Sequence, residues 1–126
     1  NLSDVGHIQI LGATGQREDH TIGNMSLLME YARTYRPQER GITVEMISDH
    51  STAFAITDTF EMDCGAGRSI SIFSPDNSLN IRSEGLEWPT DEVVFDNWWK
   101  ATLNRSCDDH VRLEFNHPSI ALILIN

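Results

Sequence analysis

The stretch VRLEFNHPSIALILI, residues 111–125, decides the reading of the fold. Val111, Leu113 and Phe115 alternate with Arg112 and Glu114, the period-two pattern of a strand with one buried and one solvated face. Asn116, His117, Pro118 and Ser119 then supply turn chemistry, and Ile120–Ile125 returns as an uninterrupted apolar run. Such a run is far too short to cross a bilayer, so it reads as a strand buried on both faces, central in its sheet.

Upstream, the same alternation recurs. Ile42, Val44 and Met46 alternate with Thr43, Glu45 and Ile47; Thr52–Ile56 and Arg68–Phe73 follow, separated by Asp49-His50 and Cys64-Gly65-Ala66-Gly67. Val5–Leu11 opens the chain as a strand with Ile8 and Ile10 on one face. Met25, Leu28, Met29, Ala32 and Tyr35 recur at helical spacing, with Thr21 or Asn24 as candidate cap and Pro37 as terminator. A long polar connection, Ser74–Pro89, leads to Thr90, whose position before Asp91 and Glu92 predicts a second helix running to about Arg105 with Val94, Phe95, Trp98 and Ala101 toward the core. The order β-α-β-β-β-α-β-β predicts an α+β fold: an antiparallel sheet of about five to six strands with two helices packed on one face, a single-domain sandwich over residues 1–126.

Composition bounds the function. A chain of 126 residues is too short to hold a cofactor-binding half and a substrate half, and no apolar stretch approaches a membrane span. Net charge is −10, with eight arginines and a single lysine, Lys100. Such a surface repels polyanions, so nucleic acid is not expected as a partner, and a cationic partner or an acidic milieu fits better. Cys64 and Cys107 have no CxxC or zinc-type spacing, and a disulfide between them would close a loop of about forty residues, removing roughly 4 kcal/mol of unfolded-state freedom. Sequons at Asn1, Asn24 and Asn104 make the chain a glycoprotein candidate and point, with the cysteines, to a secreted product, compatible with one chain of a processed hetero-oligomer. Two free buried cysteines in an intracellular acidic adaptor form the rival compartment reading.

Ile10-Leu11-Gly12-Ala13-Thr14-Gly15-Gln16 resembles the first strand and turn of NmrA-like and other extended short-chain dehydrogenase-like Rossmann proteins, which implies a dinucleotide cradle. Glu18 stands where that family carries its third glycine, and a carboxylate there repels a pyrophosphate. Cys64-Gly65-Ala66-Gly67-Arg68-Ser69 is similar to the end of the tyrosine-phosphatase loop, but three residues separate Cys64 from Arg68 where that loop has five. Neither cofactor nor metal is therefore expected.

The histidines are His7, His20, His50, His110 and His117. If the chain were catalytic, His50 and His110 as acid and base with Arg68 holding an anion would make a ribonuclease-like hydrolase. The reading preferred on sequence is a non-enzymatic binding protein, a secreted toxin subunit, effector or defence-type protein. Trp88 and Trp99 would be its anchors on a protein or carbohydrate surface, with Trp98 in the core.

Overall fold

The computed structural model describes residues 6–11, 18–48 and 51–126. Its elements are β1 (His7–Leu11), α1 (Glu18–Tyr35), a 3-10 turn (Pro37–Arg40), β2 (Thr43–Ile47), β3 (Thr52–Ile56), β4 (Phe60–Asp63), β5 (Ser69–Phe73), β6 (Ile81–Glu84), β7 (Ala101–Arg105), β8 (His110–Phe115) and β9 (Ala121–Ile125). The large sheet has the order β1-β2-β3-β9-β5-β7; β1 and β2 run parallel and every other neighbouring pair antiparallel. The small sheet, β4-β8-β6, is antiparallel. Among the described residues the fold is mostly sheet with one α-helix: a mixed six-stranded sheet with a three-stranded sheet on one face and α1 on the other.

The apolar run at the end of the chain is the centre of this arrangement. Ala121, Ile123 and Ile125 point into the core between the sheets, where they meet Ile56, Ile70, Ile72 and Leu113. Leu122 and Leu124 point the opposite way, into a second cluster formed by Leu28 of α1 with Ile42, Val44, Met46 and Ala53. With both faces covered, no polar residue is tolerated on β9, which explains the unbroken pattern.

Residues 111–125 do not form a hairpin. Val111, Leu113 and Phe115 face the same core from the small sheet, so the turn at Asn116–Ser119 carries the chain from one sheet to the other. Asn116 N donates to Asn80 O (3.1 Å) and Ser119 N to Thr57 O (2.8 Å), which fixes that crossing.

The second helix expected over Thr90–Arg105 is absent: residues 90–100 are irregular and residues 101–105 are β7. The groups that would cap a helix are engaged elsewhere. Thr90 Oγ1 donates to Ile81 O (2.6 Å), Thr90 N to Ser83 Oγ (2.9 Å), and Asp91 Oδ1 accepts from Ser83 N (3.0 Å). Of the expected apolar set, Phe95 and Ala101 are buried in the core, Ala101 as part of β7, while Val94 and Trp98 are exposed, so no helical face exists to bury. The polar connection holds β6, and β4 was not expected; the described residues thus carry nine strands rather than five or six.

Two further expectations fail. Cys64 and Cys107 are free: Cys64 N and Gly65 N both donate to Asp109 O (3.0 and 3.2 Å), and hydrogen bonds rather than a disulfide join the two turns. Helix α1 begins at Glu18, ahead of both candidate caps, and ends as Pro37 requires, with Arg36 at φ 47°. Its Leu28 and Ala32 are buried and Met25 and Met29 half-buried, whereas Tyr35 is exposed.

Candidate functional site

Helix α1 covers only part of its face of the large sheet. On β5, Ile70 and Ile72 face the inter-sheet core, so Ser71 and Phe73 face the helix side, opposite Leu124 and Leu122 of β9. Beyond them lies β7, the edge strand. Its Leu103 adopts φ 61°, a left-handed conformation costly for a side chain with a Cβ, and is 85% exposed. Leu103 N donates to Ser71 Oγ (3.0 Å), where the β5–β7 register shifts between Ile70 and Ile72.

Just before β7, Trp98 lies against Phe73 with ring centroids 5.3 Å apart and planes inclined by 31°. Ser74 N donates to Trp98 O (3.0 Å), tying the end of β5 to this loop. A groove of about 700 Å³ opens between α1 and these two segments, lined by Met25, Met29, Phe73, Asp76, Asp96 and Trp98 among others. This is within the range of small-molecule sites. Further along the same face, a hollow of about 200 Å³ is lined by Ser69, Ser71, Trp88, Leu103 and Leu124.

Trp88 is held from below. Buried Asn104 donates through Nδ2 to Trp88 O (2.6 Å) and accepts through Oδ1 from Trp88 N (3.1 Å) and Arg105 N (2.8 Å). Asn104 is 7% exposed, so the folded chain leaves no room for a glycan on this sequon. Gly85, at φ 86°, leads into this segment; any Cβ there would collide with the His110 carbonyl, so only glycine fits.

The groove carries fixed negative charge. Asp76 Oδ2 accepts from Ser119 Oγ (2.6 Å), and Oδ1 from Ser78 Oγ (2.6 Å) and Ser78 N (2.9 Å). Donation by Ser119 and then Ser78 holds the Asp76 carboxyl down at about 2, so it is ionised throughout the physiological range. A flat aromatic pair beside an anion suits a ligand with a cationic heteroaromatic ring.

Of the anchors read from the sequence, Trp88 lies on this face; Trp99 is exposed with Lys100 Nζ 5.4 Å from its ring centre and lines neither hollow. Trp98, expected in the core, is 57% exposed and is the groove's aromatic wall. The proposed acid–base set is not assembled by the described residues. His50 and the Gly12–Gly15 turn lie outside them. His110 sits on the outer face of the small sheet, its Nδ1 2.7 Å from Asp63 Oδ1 and its Nε2 3.2 Å from Glu61 Oε1. Arg68 donates through Nε to Asn126 O (2.8 Å) and through Nη1 to Cys64 O (3.4 Å). Ser106 Oγ bonds Arg68 N and Gly65 O (2.9 and 2.7 Å), so the glycine turn closes on protein. Among the described residues no cluster of three or more His, Cys, Asp or Glu is placed to hold a metal ion. Phe73, Asp76 and Trp98 were missed as site residues; the turn Ser74-Pro75-Asp76-Asn77 following an apolar strand was the available signal.

Residues 52–120, more than half of the chain, match the family described as thiamin pyrophosphokinase, substrate-binding domain. No curated protein matches the chain by sequence. Among solved structures, the chain is similar to thiamine pyrophosphokinase from Bacillus subtilis (18% identity, TM-score 0.75, 99% of this chain and 57% of that one). It is also similar to the enzymes from Candida albicans (17%, 0.70, 98% and 45%) and Geobacillus thermodenitrificans (18%, 0.73, 98% and 55%). The chain thus spans about half the length of these relatives, and its shortness bounds nothing about an enzyme of this kind. The match overturns the reading as a secreted, non-enzymatic toxin, effector or defence-type protein and its hydrolase alternative, and the free thiols remove the staple on which that reading leaned.

Proposed function

This chain belongs to the thiamin pyrophosphokinase family, and we propose that it supplies the part of such an enzyme that grips thiamin, in the groove between α1 and Trp98. The observation that carries the reading is the substrate-binding-domain match over residues 52–120, the segment that contributes Phe73, Asp76, Asp96 and Trp98. Thiamin is a flat aminopyrimidine joined to a thiazolium cation that bears a hydroxyethyl arm. Trp98 and Phe73 offer area for a ring, and Asp76 and Asp96 offer countercharge to the thiazolium. The net charge of −10 draws the same cation from a distance, so the cationic partner favoured by composition is here the substrate itself. In the enzyme the bound hydroxyl is the acceptor of the pyrophosphoryl group.

Calorimetric titration with thiamin tests this. Saturable binding at one site is expected, weakened about tenfold or more by Trp98→Ala with the circular dichroism unchanged. No saturation at millimolar thiamin, or equal affinity in Trp98→Ala and Trp88→Ala, would overturn it.

A further inference from the structure

Where the end of α1 meets the loop after β3 and the loop before β9 lies a second pocket of about 290 Å³, which shares Asp76 with the groove and is otherwise lined by Arg33, Arg36, Thr57 and Ser119 with Pro118 and Ile120. Cationic side chains are scarce here, nine against nineteen carboxylates, yet two of the eight arginines meet at this one place. Arg33 has no hydrogen bond or ion pair among the described residues. Arg36 is matched by the exposed Glu39 through Nη1 (3.1 Å), and its other side-chain donors have no partner among the described residues.

The hydroxyl of Thr57 is the second observation. Thr57 is 5% exposed, and its Oγ1 is the one buried side-chain polar atom with no partner among the described residues. Its backbone is satisfied, N donating to Gln38 Oε1 (2.9 Å) and O accepting from Ser119 N (2.8 Å), so the residue is clamped with its hydroxyl unmatched. A buried hydroxyl without a partner is disfavoured unless something meets it. Two guanidinium groups and a hydroxyl donor call for an oxyanion.

Asp76 decides which oxyanion. Three hydrogen bonds from Ser119 and Ser78 occupy part of its capacity, and a carboxylate has about four acceptor sites. It repels a fully ionised anion but accepts from one that keeps a proton. Near neutral pH phosphate retains a P–OH group and sulfate does not. We infer that this pocket binds a phosphate-class oxyanion, with Arg33 and Arg36 neutralising its charge, Thr57 donating to one oxygen and Asp76 accepting from its P–OH. The inference goes beyond thiamin binding and does not rest on it.

The test is calorimetric titration with inorganic phosphate, sulfate and AMP at matched ionic strength. Saturable phosphate binding is expected, with sulfate at least tenfold weaker. Arg33→Ala should weaken phosphate tenfold or more, and Thr57→Val several-fold without lowering the melting temperature. Asp76→Asn should narrow the gap between phosphate and sulfate. AMP binding that is equally sensitive to Arg33→Ala supports the same site with a phosphomonoester as the source. Absence of saturable phosphate binding, sulfate matching phosphate in the native protein, or phosphate affinity unchanged in Arg33→Ala would overturn the assignment.

Discussion

The helix-side face of the large sheet is two surfaces of opposite character. Along β2, β3 and β9, α1 covers it and buries Leu28, Val44, Met46, Ala53 and Leu122. Along β5 and β7 the face is bare, and Trp88, Trp98 and Leu103 stand 56%, 57% and 85% exposed. Large apolar side chains gathered in water bring no stability, and a strained φ at Leu103 adds a cost at that same end. The covered half holds the fold together; the bare half is where the proposed thiamin seat lies.

That contrast can be broken by substitution. Leu28→Ala on the covered half should destabilise by about 2–4 kcal/mol in urea denaturation, from lost burial and the cavity left behind. A loss under 1 kcal/mol would mean that α1 is a dispensable lid. Trp98→Ala on the bare half should change stability by less than about 1 kcal/mol but cost about 1–3 kcal/mol of thiamin affinity.

Asp76→Asn probes the border between the two halves. The Asp76 pKa falls from 3.8 to about 2 on folding, so its contribution is complete above the unfolded value and fades as pH drops from about 4 to 2. Allowing for solvent screening, the variant should lose about 1–2 kcal/mol at pH 7 and close to nothing at pH 2. A pH-independent deficit would assign the loss to packing. Leu103→Gly should be the smallest of these effects, a gain of up to about 1 kcal/mol as the left-handed strain is released, offset by the added freedom of the unfolded chain.

The outer face of the small sheet gives a comparison away from the groove. His110 is pushed above 6.5 by its hydrogen bond with Asp63 and then with Glu61, and Glu61 is lowered by His110 and Arg112. A raised histidine contributes below its unfolded value and loses that contribution as pH climbs through the folded one. Proton NMR of the His110 ring should therefore show a midpoint above 6.5 that moves down in Asp63→Asn, and thiamin should leave it unchanged.

Much of this fold was legible because burial on two faces or on one leaves different traces. Ile120–Ile125 read as a central strand, and β2, β3, β5 and β8 read from alternation. Phe60-Glu61-Met62-Asp63 alternates too, but four residues offer little pattern. Thr90 and Asp91 misled because cap chemistry and tertiary hydrogen bonding to β6 use the same side chains, and only the fold decides between them. That error turned β7 into helix and buried Trp98 on paper, hiding the groove. Trp88 was singled out from the sequence and lies exposed on the bare half-face; Asp76 gains its meaning from Ser119, forty-three residues away. The compact glycine motifs pointed to other families, whereas the match that identifies this one is spread over residues 52–120.

The most direct test of the account is the indole N–H spectrum of the three tryptophans during a thiamin titration, with Trp88, Trp98 and Trp99 assigned by single substitution. The Trp98 resonance should shift saturably, Trp88 with it to a lesser extent, while Trp99 and the His110 ring stay in place. A saturable shift confined to Trp99, or thiamin binding that moves none of the three indoles, would contradict the assignment of the bare half-face as the thiamin seat.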